Sequence, residues 1–311
     1  MLVAVTGAFG YSGRAIAERL LARGERVRTL TNSPQRPHDF GDRIDVCPLA
    51  FDDPPRLARS LAGSDVLVNT YWVRFNHRLF TFDQAVANTR TLFAAAKAAG
   101  VRRIVHTSIL KPEQGRGLAY YDGKLRLERD LESTGLPHAI LRPGVLFGRG
   151  DILVNNIAWL LRHLPLFGLF GDGRYALAPL HVDDFAAIAL RAIDAQPGLP
   201  RVIDCHGPES FPYRDLVRQI AAIIGVRRPI VRVPPWLGHI VGRLLNPLLK
   251  DVVITREEID GLMRGLLASD QPSLGTTRLT DWANAHRDAL GRRYAGEVGR
   301  RVRRSVAYEQ V

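Results

Sequence analysis

Thr6-Gly7-Ala8-Phe9-Gly10-Tyr11-Ser12-Gly13 is the stretch whose reading decides the fold. It follows a short apolar run, Leu2-Val3-Ala4-Val5, and opens a helical pattern with Ala15, Ile16 and Leu20 on one side. Strand, glycine-rich turn and helix, in that order, make a dinucleotide-site pattern. The turn aims backbone N–H groups and a helix N-terminus at a pyrophosphate. Each glycine lets the backbone pass where a Cβ would clash.

Working outward, apolar strand candidates alternate with helical patterns. The strands are Arg26–Thr31, Ile44–Pro48, Val66–Thr70, Arg103–Thr107 and His138–Leu141, with helices near 54–62, 81–99 and 120–134. Gly24, Gly63, Gly100 and Gly135 fall just past helices, where C-terminal caps belong. Repeated β-α units imply a parallel, doubly wound sheet with right-handed crossovers, whose ligands bind at the carboxyl ends of the strands. The regularity breaks after Pro143, and residues 146–180 are rich in Leu, Gly and Pro. Leu180-His181-Val182-Asp183-Asp184 then begins another helix, and a short strand follows at Arg201–Asp204. Asp183 and Asp184 read as a helix start, where negative charge suits the dipole, rather than as an acid–base pair. Thr255-Arg256-Glu257-Glu258 reads as a capping box opening a helix through Leu267. The expected fold is α/β: a Rossmann-type doubly wound parallel sheet with a smaller, mainly helical C-terminal lobe. Residues 1–145 with 178–206 form the dinucleotide-binding domain, and 146–177 with 207–311 form a lobe covering the substrate.

Composition narrows the class. A chain of 311 residues, 46% hydrophobic, suits one large α/β domain with an appended lobe. The first strand begins at once, with no basic leader, so no secretory signal is expected. The longest apolar region, Ile157 to Phe170, is broken by Arg162, His163 and Pro165 and is too short to span a bilayer. Cys47 and Cys205 lack metal spacing and read as core residues of a reduced, cytoplasmic protein. The net charge of +12 comes almost wholly from arginine, since the lysines are only Lys97, Lys111, Lys124 and Lys250. That is a global bias rather than a nucleic-acid patch. The cluster Arg300, Arg301, Arg303 and Arg304 reads as a solvated tail, with a membrane or protein-partner contact as the alternative. No zinc, helix-turn-helix or Gly-x-Ser-x-Gly pattern is present, and no metal site is expected.

Tyr120 and Lys124 are four apart at the start of a helical stretch, which puts both on one face. Free tyrosine, with a pKa of about 10, is a poor acid–base catalyst at neutral pH. A nearby ammonium favours the phenolate. The pair therefore suits proton donation to a carbonyl being reduced.

Thr6-Gly7-x-x-Gly10-x-x-Gly13, Asn69, Asn88, His106-Thr107-Ser108, Tyr120-x3-Lys124 and Leu141-Arg142-Pro143 occur in the order of the short-chain dehydrogenase/reductase superfamily. The chain resembles its extended and atypical branches, NAD(P)-dependent epimerase/dehydratase-like. The resemblance is greatest to the branch holding the complex I nucleotide-binding accessory subunit and bacterial NAD(P)H-binding reductases. It covers residues 1–205 well and the rest loosely. It implies that Thr6, Gly7, Gly10, Tyr11, Ser12 and Gly13 surround the pyrophosphate. It implies Tyr120 as catalytic acid/base, Lys124 as its partner and ribose contact, and Ser108 or Thr107 as the carbonyl's hydrogen-bond donor. Asn69 and Thr70 would lie beside the ribose and nicotinamide, and Pro143 would flank the nicotinamide. Departures from the pattern are Ile109, where many members have a substrate-binding hydroxyl, and Leu177, where nucleotide-sugar enzymes carry an arginine. Ala50 and Phe51 stand where an adenine-binding Asp is frequent, so backbone would serve there.

No carboxylate follows the second strand before Asp39. Asn32, Ser33 and Arg36 would instead hold a 2′-phosphate, which favours NADP(H) over NAD(H). Trp72, Phe75, Phe80 and Phe82 read equally as core or as one wall of an apolar pocket. The expected function is an NADP(H)-dependent oxidoreductase moving hydride to or from a carbonyl or hydroxyl carbon of a small metabolite. The alternatives are a non-catalytic NADP(H)-binding structural or assembly subunit and a nucleotide-sugar epimerase or dehydratase.

Overall fold

The computed structural model describes residues 1–196 and 198–308. The chain begins β1 (Leu2–Thr6), α1 (Tyr11–Ala22), β2 (Arg26–Thr31), β3 (Ile44–Pro48), α2 (Pro54–Leu61) and β4 (Val66–Asn69). It continues α3 (Phe82–Ala98), β5 (Arg103–Thr107), α4 (Ala119–Ser133) and β6 (His138–Pro143). Next come β7 (Leu146–Phe147), α5 (Leu153–His163), β8 (Phe167–Phe170), β9 (Ala176–Leu177) and β10 (Leu180–His181). Then follow α6 (Val182–Ile193), β11 (Val202–Cys205), β12 (Phe211–Pro212), α7 (Tyr213–Ile223) and β13 (Ile230–Val233). The last elements are α8 (Pro235–Leu249), α9 (Arg256–Met263), α10 (Leu279–Ala285) and α11 (Glu297–Val302).

Seven strands form one sheet in the order β11-β6-β5-β4-β1-β2-β3, every neighbouring pair parallel. The chain walks one way from β1 to β3, then returns past β1 and walks the other way. Right-handed crossovers therefore put α1 on one face and α2, α3 and α4 on the other. The order reverses between β1 and β4, and a ligand crevice opens at that switch point. Leu30, Leu67, Ile104 and Ile140 of β2, β4, β5 and β6 pack against Leu57, Leu92, Phe93, Leu127 and Leu131 of α2 to α4 in one apolar core. On α1, Arg23 makes a bidentate pair with Asp194 just beyond α6, at 2.7 and 2.9 Å.

Two compact units divide the chain. The first holds Met1–Pro143, Phe185–Cys205 and residues 304–308; the second holds Gly144–Asp184 and His206–Arg303. Residues 178–184, expected with the sheet, belong to the second unit. The reason is local: β10 pairs with β7, and the Asp184 carboxylate accepts from Thr276 N at 2.8 Å and Thr277 N at 2.7 Å. Asp184 is thus a loop anchor at a helix start. The second unit is mainly helical with three two-stranded ribbons, and its own core joins Phe147, Leu161, Leu177, Leu216 and Ile220.

Three local expectations need correction. The capping box at Thr255 and Glu258 is present, but α9 stops at Met263 because Gly265 takes φ +67° and turns the chain. Cys47, on edge strand β3, is half-buried rather than in the core. The basic cluster is not a plain solvated tail: Arg300 is buried near Asp151, and Arg301 pairs with Glu297 at 2.6 Å. Along α8, Trp236, Ile240 and Leu244 face solvent. Among the described residues no helix is long and apolar enough to cross a membrane, and no cluster of metal-ligating side chains occurs.

Candidate functional site

The glycine turn sits at the switch point. Gly7 adopts φ +70°, its N–H donates to Leu30 O at 3.0 Å, and Gly10 N–H donates to Gly7 O at 2.8 Å. A Cβ on Gly13 would collide with the Gly7 carbonyl, so the first turn of α1 packs directly on the loop. Gly10 caps α1 without a side-chain bond, and no acidic residue lies in the first turn, which Tyr11, Ser12 and Gly13 begin. Those N–H groups lack any intrahelical acceptor and carry the positive end of the helix dipole. This cradle fits a pyrophosphate.

Beneath the turn lies a buried polar network. Thr6 Oγ1 accepts from Thr70 N at 2.8 Å and Tyr71 N at 3.1 Å, and donates to Asn69 Oδ1 at 3.0 Å. Thr70 Oγ1 donates to Thr6 O at 2.6 Å. Asn69 Oδ1 also accepts from Tyr71 N, so its Nδ2 donates to His106 Nδ1 at 3.0 Å. Burial, then Lys124 and His138, hold the His106 pKa well below the imidazole range, and the ring is neutral. Thr6, Asn69 and Thr70 thus spend these side-chain groups inside the protein and fix the β1 and β4 ends. Asn88 donates to the Tyr71 hydroxyl at 2.8 Å.

The second cluster lies at the carboxyl end of β5 and the start of α4. Tyr120 and Lys124 share one face of α4, as the spacing predicts. Lys124 is 2% exposed; its Nζ donates to Thr107 O at 2.8 Å and lies 4.5 Å from the centre of the Trp72 ring. Burial pushes its pKa down to about 7, against an opposing pull from Glu128. Glu128 is buried and pairs with Arg142, which also holds Glu113 at 2.6 Å. Tyr120 is half-buried, edge-on to Trp72 at 5.8 Å and to Phe82 at 5.7 Å. Thr107 Oγ1 and Ser108 Oγ are buried with no hydrogen-bond partner among the described residues. A carbonyl oxygen would satisfy such a donor, and leaving it unmet is costly. Pro143 ends β6 and accepts from Leu110 N at 3.2 Å. Ile109 is buried, and Leu177 lies in the second unit's core.

Sequence reasoning did not assign Trp72, Glu128 or Arg142 to the site. Gly123 was the available signal for Trp72: a Cβ there would come within 2.8 Å of the indole. The aromatic loop after β4 therefore has two roles. Phe75 is fully buried core, whereas Trp72 covers Lys124.

The expected adenosine end follows β2 and β3. Asn32 is exposed, Ser33 N–H donates to Thr31 Oγ1 at 3.0 Å, and Arg36 N–H donates to Ser33 O at 3.1 Å. Arg36 is 6% exposed. Ala50 is buried, and the Phe51 ring meets Tyr71 at 5.0 Å. His38 stacks on Phe9 of the glycine loop at 4.1 Å, which ties this turn to the cradle.

The chain is similar in sequence and fold to known proteins. The chain is 28% identical, over 74% of its length and 75% of the relative's, to (4-alkanoyl-5-oxo-2,5-dihydrofuran-3-yl)methyl phosphate reductase of Streptomyces griseus. It is 24% identical, over 87% of its length and 71% of the relative's, to NADH dehydrogenase [ubiquinone] 1 alpha subcomplex subunit 9, mitochondrial, of Arabidopsis thaliana. Its fold matches the Citrobacter sp. triphenylmethane reductase complexed with NADP(H) at a TM-score of 0.73 and 16% identity, covering 92% of this chain and 99% of that one. Residues 7–152 match the model of the NAD(P)H-binding family. The matched stretch holds the glycine turn and strands β2 to β6 of the seven-stranded parallel sheet.

Proposed function

We propose that the protein is an NADP(H)-dependent oxidoreductase of the short-chain dehydrogenase/reductase type, acting on a carbonyl or hydroxyl carbon of a small metabolite. The observation that carries this reading is the pairing of Tyr120 and Lys124 on α4 with the unsatisfied Ser108 and Thr107 hydroxyls at the end of β5. When bound, NADPH would supply the reducing equivalent. Gly7, Gly10 and Gly13 would admit its pyrophosphate against the α1 N–H groups. Ser108 Oγ or Thr107 Oγ1 would donate to the substrate carbonyl oxygen and hold it. Tyr120 would give its phenolic proton to that oxygen, and the Lys124 ammonium would favour the phenolate left behind. Two similar proteins are named reductases, which supports the reaction class. Arg36, with Asn32 and Ser33, would hold the 2′-phosphate. The partner is a small molecule rather than nucleic acid, and the unpaired cysteines support a reducing, cytoplasmic setting.

The experiment pairs NADPH binding with turnover on a carbonyl panel, wild type beside Tyr120→Phe. The expected outcome is unchanged NADPH affinity and a loss of at least about 100-fold in kcat for the variant. Undiminished turnover refutes the mechanism. One observation favours a second reading, a non-catalytic cofactor-binding subunit: Lys124 Nζ is already bonded to Thr107 O and sealed under Trp72. Binding without turnover in both proteins would support it.

A further inference from the structure

Helix α8, in the second unit, presents two unlike faces. Gly238 and Gly242, four apart, bring one face down on its neighbours. A Cβ on Gly238 would collide with the Phe170 ring of β8, and one on Gly242 would come within 3.1 Å of Ile254 Cγ2. The opposite face holds Trp236, Ile240 and Leu244, again four apart, which are 64%, 46% and 71% exposed. By helical period Arg243 lies on that same side, and it is exposed, as is Lys250 at the C-cap. From Gln219 to Lys250 the chain carries no Asp or Glu but holds Arg227, Arg228, Arg232, Arg243 and Lys250. Among the described residues, Arg243 and Lys250 pair with no carboxylate. Asp251, the next acid, is turned inward. It is 5% exposed and accepts from Val298 N at 2.8 Å, Glu297 N at 3.0 Å and the Tyr294 hydroxyl at 3.1 Å.

We propose that α8 is a membrane-contact element: its outer face seats Trp236, Ile240 and Leu244 at the surface of an anionic bilayer, with Arg243 and Lys250 against the lipid phosphates. An apolar stripe edged by cations and free of acid is the composition of a helix that lies in the plane of the interface. Tryptophan settles at headgroup level, where its ring meets acyl chains and its N–H stays wet. Arginine and lysine lay their stems along the apolar surface and lift their charge to the headgroups. Each cation near an anionic surface raises partitioning about fivefold. The net charge of +12 draws the whole chain to the same surface. A second copy of the chain fits the face less well. Three side chains on little more than two turns fall short of the roughly 800 Å² per partner that a stable protein interface buries. Shallow insertion into lipid needs no such area. At 15 residues, with Pro247 inside it, α8 lies on the bilayer rather than across it. Attachment of this kind is independent of the cofactor chemistry in the first unit.

Co-sedimentation with large unilamellar vesicles tests this, using phosphatidylcholine alone and phosphatidylcholine with about 30% phosphatidylglycerol. Wild type is compared with two double variants, thermal unfolding serving as the check on folding. Trp236→Ser with Leu244→Ser removes the apolar stripe and keeps the charge. Arg243→Gln with Lys250→Gln does the reverse. Wild type is expected to bind the anionic vesicles at least about tenfold more tightly than the neutral ones, and each double variant to lose about tenfold on the anionic vesicles. Tryptophan emission of wild type should shift to the blue on anionic vesicles, and Trp236→Phe should abolish the shift although Trp72, Trp159 and Trp282 remain. Should a double variant unfold, that emission shift decides. No binding by wild type, or equal binding to both vesicles, overturns the proposal. Undiminished binding without the apolar stripe also overturns it, because adsorption by net charge alone then accounts for the result. A monomer–dimer equilibrium in sedimentation velocity that Trp236→Ser with Leu244→Ser abolishes assigns the face to a second copy and overturns it as well.

Discussion

Lys124 is a buried cation whose neighbours decide its charge. Burial lowers its pKa to about 7, and Glu128 opposes the shift. The charged form is present below that value and lost above it. If Lys124 supports Tyr120 as an ammonium, carbonyl reduction should slow as pH rises through 7. Glu128→Gln removes the opposing pull, so the descending limb of log(kcat/KM) should move to lower pH; a limb that stays put counts against the coupling. Stability carries the same signature. Between pH 7 and the ordinary lysine value of 10.5, the unfolded chain keeps a proton that buried Lys124 has released. Unfolding then takes up a proton, so stability should rise with pH across that window. Lys124→Met should flatten the rise, as read from urea midpoints between pH 7 and 10. The spacing of Tyr120 and Lys124 was legible in the sequence, because helix periodicity alone fixes a shared face. The Trp72 cover was not, because it brings together residues 52 positions apart.

At the scale of elements, the glycine turn and α1 act as one piece. A methyl group on Gly13 meets the Gly7 carbonyl, which cannot yield without disturbing β1. Gly13→Ala should cost about 1–3 kcal/mol in unfolding free energy and weaken NADPH by at least about tenfold. Thermal unfolding and equilibrium binding check the two halves separately. Asp184 illustrates the opposite case, a carboxylate whose role is set by a distant loop. Asp184→Ala strands the Thr276 and Thr277 N–H groups and should cost about 1–3 kcal/mol, read by denaturant unfolding. Strand and helix bounds in the first half follow closely from hydrophobic period and glycine caps. The α9 end does not, because a glycine at positive φ stopped the helix while its apolar pattern continued to Leu267.

At the scale of the whole molecule, each unit has its own apolar core. Leu216, 1% exposed, belongs to the second. Leu216→Ala should destabilise by about 2–5 kcal/mol, while 2′,5′-ADP still binds the folded fraction through the first unit. Calorimetric unfolding beside ligand titration checks this. Sequence by itself determined the α/β class, the parallel sheet and the place of the glycine turn. It did so because strand and helix periods and glycine turns are local properties. Tertiary structure alone decided that Asn69 faces inward to Thr6 and His106, that Trp72 seals Lys124, and that Arg304 and Tyr308 reach the turn after β2. Each of those is a contact between residues far apart in the chain, and only the packing of the whole sheet and its helices brings them together.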